Sequence, residues 1–69
     1  MKYKIGDRFM HKRYPERIIV IHTVFDNIYH AALYEAGDLT LKDWVVTTSS
    51  LNEYYTKLPE GNLTTALYL

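Results

Sequence analysis

Three histidines, eight carboxylates and two adjacent serines are the side chains with which this 69-residue chain could do acid–base, metal or nucleophilic chemistry. A metal site of the zinc type needs three or four His, Cys or carboxylate ligands converging on one point. The chain has no cysteine, so thiolate ligation and disulfides are excluded. His11, His22 and His30 remain. On an ideal two-residue hairpin joining the segments around Asp26-Asn27, His22 pairs with Ala31 and His30 with Thr23, which puts the two rings on opposite faces. That geometry denies them a shared ion, so no metal site is expected.

The carboxylates Asp7, Glu16, Asp26, Glu35, Asp38, Asp43, Glu53 and Glu60 are scattered singly, most of them beside turns or a helix cap. No spacing demands a paired acid and base. Of the two serines, Ser50 reads better as a helix cap than as a nucleophile. Three glycines form no phosphate-cradling loop. The expectation is a protein with no catalytic residues and no cofactor.

Cations and aromatics are the more informative groups. Residues 1–17 hold six basic and two acidic side chains, a net of +4, and the remaining two basic and six acidic groups give −4. Lys12, Arg13 and Tyr14, with Arg17 just beyond, combine positive charge with a stacking ring, the pairing used against nucleic acid. The neutral total and a pI of 6.8 argue against a dedicated phosphate binder. Seven tyrosines and one tryptophan in so short a chain point instead to protein contact, where such rings supply rigid area with a polar tip. The candidate protein-binding residues are Tyr29, Tyr34, Trp44, Tyr55 and Tyr68, with Asp38 and Asp43 nearby. Lys12, Arg13, Tyr14 and Arg17 form the alternative, nucleic-acid-binding set. Self-association through apolar edges is a third reading.

The elements that must position these residues follow from the pattern. The stretch 17–35, RIIVIHTVFDNIYHAALYE, is two β-branched and aromatic runs joined by a turn-tolerant Asp-Asn pair. It reads as a central β-hairpin, apolar on both faces. Before it, residues 8–14 suit a first strand with Phe9 inward, broken by Pro15. After it, Ala36-Gly37-Asp38 forms a turn and residues 39–48 a fourth strand. A bulge near Lys42-Asp43 is expected, since it would send Leu41 and Trp44 to one side. Ser50-Leu51-Asn52-Glu53 matches a capping box. Leu51, Tyr54, Tyr55 and Leu58 then recur at helical spacing, predicting a helix over 50–58 that ends at Pro59 and Gly61. The segment 62–69, NLTTALYL, alternates as a last strand.

This layout predicts one mainly β domain over 1–69, a small barrel of about five strands with a short helix before the last. It resembles the SH3-like barrels in three features. These are the opening Ile5-Gly6-Asp7-Arg8-Phe9, the three-strand meander, and the helical turn before a closing strand. In length and tyrosine content it is also similar to small proteins of phages or mobile elements of low-GC bacteria. That resemblance implies a non-enzymatic binding module, such as an inhibitor of a host protein, working in the bacterial cytoplasm. A charged N-terminal stretch without a signal peptide pattern, and no apolar run near 18 residues, fit that setting.

Overall fold

The computed structural model describes residues 2–59. It contains strands β1 (Arg8–His11), β2 (Arg17–Phe25), β3 (Ile28–Glu35) and β4 (Asp38–Val46), a helix α1 (Thr48–Tyr54) and strand β5 (Tyr55–Lys57). The strands are antiparallel and form one sheet in the order β4-β3-β2-β1-β5. Among the described residues the sheet is not closed, and β4 and β5 are its edges. This is the mainly β architecture expected, with the short helix before the last described strand. The strand expected over 62–69, with Tyr68, lies outside the described residues.

The central hairpin turns at Asp26-Asn27, where both residues take a positive φ (54° and 63°). Two consecutive left-handed residues match the right-handed strand twist, and Asp and Asn tolerate them without glycine. Phe25 pairs with Ile28, Val24 with Tyr29 and Thr23 with His30, as the two-residue loop requires. Beyond Thr23 the register slips, because Ile21 pairs with Ala31. His22 is therefore an extra residue in β2, a β-bulge that the ideal hairpin lacks.

A second irregularity lies where it was expected. Ala31 pairs with Trp44 but Leu33 pairs with Leu41, so β4 carries an extra residue at Lys42-Asp43. Directly paired residues share a sheet face. Leu41 and Trp44 thus join Leu33 and Ala31 on the inner side.

That inner side is the core: Phe9, Ile19, Ile21, Tyr29, Ala31, Leu33, Val46 and Leu51 are buried together. The two-residue spacing within β2 and β3 is the strand period at work. Leu51 is the one buried residue of α1, and it docks the helix against this core. A seven-residue helix has little stability of its own, so the docking holds it.

The helix differs at both ends from the pattern reading. Its cap is Thr47, whose hydroxyl accepts from the Ser50 amide at 3.2 Å; Ser50 lies inside the first turn. It stops at Tyr54, and Tyr55–Lys57 is strand β5, paired with β1 through His11–Tyr55, Met10–Thr56 and Phe9–Lys57. The free edge of β1 offers those residues backbone partners, and ladder pairing wins over the helical period. β1 itself ends at His11. Residues 12–16 form the turn before β2, closed by the Arg17 amide donating to the Tyr14 carbonyl at 2.9 Å.

The chain before β1 seals one end of the core. Tyr3 packs edge-on against Phe9, with ring centroids 4.9 Å apart. The Gly6 amide donates to the Ile21 carbonyl, and the Ile21 amide to the Asp7 carbonyl. Asp7 is only 3% exposed, yet charged. Its carboxylate accepts the Lys4 backbone amide and the Lys4 ammonium, each at 3.0 Å, and Lys57 Nζ lies 4.0 Å away. Burial opposes the charge, but these hydrogen bonds and cations outweigh it and hold the carboxyl below its ordinary range.

Candidate functional site

The expected contact residues divide when placed on this frame. Tyr29 is fully buried, and its hydroxyl accepts from the Tyr3 amide at 3.1 Å. It is a core residue, which corrects its assignment to a binding surface. The amphipathic ring entered the core because its polar tip found a partner there. Tyr34 is half-buried, on the face opposite the core, paired with Ile18 and Leu39. Asp38 and Asp43 are exposed.

Trp44 and Tyr55 are brought together. They come from opposite edges of the sheet, β4 and β5, and line one cleft. The sheet therefore curls until its edge strands meet at this seam. Burial pushes the Tyr55 phenol above its ordinary range, against the nearby charge of Arg17 and the neighbouring Trp44 indole.

Beside that pair runs a shallow cleft of about 270 Å³, lined by His11, Trp44, Val45, Val46, Tyr54 and Tyr55 together with Ser50. Val46 is buried, whereas Trp44, Val45 and Tyr54 are 40%, 55% and 51% exposed. The result is an apolar surface at the junction of β4 and α1. Val45 and Tyr54 were missed in the sequence, because the alternation of β4 gives no sign of which neighbour α1 leaves open.

The basic set meets the same end of the molecule. His11 stands between the two groups, 5.0 Å from the Tyr55 ring and 5.2 Å from the Tyr14 ring. Its Nδ1 accepts from the backbone amides of Arg13 and Tyr14 and so shapes the turn. Arg17 lies over the Tyr14 ring at 4.5 Å, with its Nε 2.8 Å from a Glu35 carboxylate oxygen. The Lys12 ammonium donates to the Asn52 carbonyl at 3.0 Å. Arg13 lies 5.8 Å from the centre of Tyr14. Arg17 is thus held in an ion pair with Glu35 and Lys12 by a backbone acceptor.

The histidines contradict the flat-hairpin geometry. The bulge at His22 turns its ring to the outer face, where His30 already lies. The ring centroids are 6.5 Å apart, and both rings face one oxygen of Asp43.

Among the described residues no helix is long and apolar enough to cross a membrane. A smaller cleft of about 170 Å³ lies over Gly6 and Asp7, closed on its far side by Leu58 and Pro59. No family model, no curated protein and no solved structure matches this chain.

Proposed function

We propose that the chain is a small non-enzymatic protein-binding module. Its docking face is the seam where Trp44 and Val45 of β4 meet Tyr54 and Tyr55. One observation carries the reading: β4 holds four large hydrophobic residues at 40–55% exposure, Leu39, Leu41, Trp44 and Val45, on an edge with no strand beside it among the described residues. An edge strand of this kind is a template for association unless charge or bulges blunt it. Trp and Tyr at its end are the residue types that dominate binding energy at protein interfaces.

The SH3-like layout and the small tyrosine-rich chain support a narrower form, a phage-type inhibitor or modulator of a host defence protein, acting in the bacterial cytoplasm. The tagged protein, incubated with host lysate, should retain a discrete protein that survives nuclease treatment. Val45→Asp should release it while leaving the circular dichroism spectrum unchanged. Retention of a nuclease-sensitive mixture, lost on Arg13→Glu, would replace this reading with the nucleic-acid one, which rests on exposed Arg13 over Tyr14. Concentration-dependent sedimentation without any captured partner would point to self-association.

A further inference from the structure

Among the described residues two strand edges stand open, β4 and β5, and the curl of the sheet brings them to one cleft. Each neighbouring pair in the order β4-β3-β2-β1-β5 is antiparallel. Four reversals restore the direction, so β4 and β5 run the same way. A strand that turns back after β5 is therefore antiparallel to both. Antiparallel neighbours are the ones a short loop can join.

The sequence after β5 has the parts for such a strand. β5 ends at Lys57, and the Leu58 amide still donates to the Arg8 carbonyl at 2.8 Å, so the chain leaves alongside the start of β1. Pro59, Glu60, Gly61 and Asn62 come next, and Pro, Gly and Asn are residues of reversals. Leu63, Thr65, Leu67 and Leu69 then alternate with Thr64, Ala66 and Tyr68 at the strand period. Extended at about 3.3 Å per residue, 62–69 reaches about 26 Å, against about 30 Å for the nine residues of β4. The two also match in character. The segment 62–69 carries no charged side chain, and β4 leaves Leu39, Leu41, Trp44 and Val45 exposed at 40–55%. Uncharged open edges are association hazards, and closing a sheet on itself removes them.

We propose that the chain's own segment 62–69 occupies the open edge of β4, running between β4 and β5 and closing the sheet into a barrel. This goes beyond the docking reading and gives it a condition. A partner that takes the β4 edge beside Trp44 and Val45 must first displace this segment.

The test is disulfide trapping, which has no background in a chain without cysteine. Val45→Cys is combined in turn with Thr64→Cys, Thr65→Cys, Ala66→Cys and Leu67→Cys. Each variant is checked for fold by circular dichroism and oxidised in dilute solution. A disulfide needs Cα atoms within about 7 Å, so at least one pair should close within a single chain about tenfold faster than the same position paired with Phe25→Cys. Phe25 is 70% exposed at the tip of the central hairpin, away from the β4 edge. Leu69→Asp added to the fastest pair should slow its closure, because charge blunts an edge strand. Closure no faster than the Phe25→Cys control at every position, or disulfides formed only between chains, overturns the proposal. No partner is present in this measurement, so its failure leaves the docking reading standing, and failed capture from lysate leaves the closure standing.

Discussion

Strands β3 and β4 are neighbours of nearly equal length, each carrying leucine and an aromatic residue, yet they meet opposite fates. β3 buries every second residue, whereas β4 is exposed from Asp38 to Val45 and buries only Val46. Hydropathy alone does not separate them. β3 has a strand on each side, and its alternation matches one face to the core. Among the described residues β4 has one partner strand, breaks register twice against it, and receives α1 only near its end. Apolar residues therefore stabilise the fold in β3 and remain available for contact in β4.

Breaking the inner strand should do the most damage. Tyr29→Ala removes a fully buried ring and should cost about 3–5 kcal/mol in urea unfolding, enough to unfold a domain this small. Trp44→Ala, on the exposed strand, should cost far less. Equal losses would erase the distinction between the strands.

Asp7 sharpens the contrast from the polar side, being buried and satisfied where the β4 carboxylates are exposed. Asp7→Asn should cost about 1–3 kcal/mol, since it removes charge-assisted hydrogen bonds from Lys4. Its carboxyl titrates below the ordinary 3.8. The stability it contributes is complete above that value and drains as pH falls through the folded value. Acid titration of stability should show this loss in the parent and a flatter limb in Asp7→Asn.

At the turn joining the two strands, Ala36 adopts a φ of 52° beside Gly37 at 88°. An L-residue there is strained, so Ala36→Gly should stabilise by about 0.5–1 kcal/mol in thermal or urea unfolding. The smallest effect should come from Val45→Thr, within about 0.5 kcal/mol in stability. Its readout is partner capture, which should fall.

Much of this frame was legible. The Asp26-Asn27 turn, the inward Phe9 and the bulge at Lys42-Asp43 follow from turn chemistry and from the need to put Leu41 and Trp44 on one side. The His22 bulge was not, because no glycine marks it and the residues around it fit either register. Tyr55 misled because Leu51, Tyr54, Tyr55 and Leu58 satisfy a helical period, while the deciding partner, the edge of β1, is more than forty residues away. Of the site, Trp44 and Tyr55 were nameable as ring types, but their meeting depends on how far the sheet curls. Tyr29 shows the limit of reading exposure from residue type, since its burial rests on a single amide from Tyr3.

The meeting of Trp44 and Tyr55 along one cleft gives the protein a built-in optical probe. The chain has one tryptophan, so its emission reports a single place, the junction of the two edge strands. Excitation absorbed by Tyr55 should pass to the indole while the junction is shut. Parting of the strands, or arrival of a ligand over the indole, then becomes visible as a change in colour and yield, with no label attached.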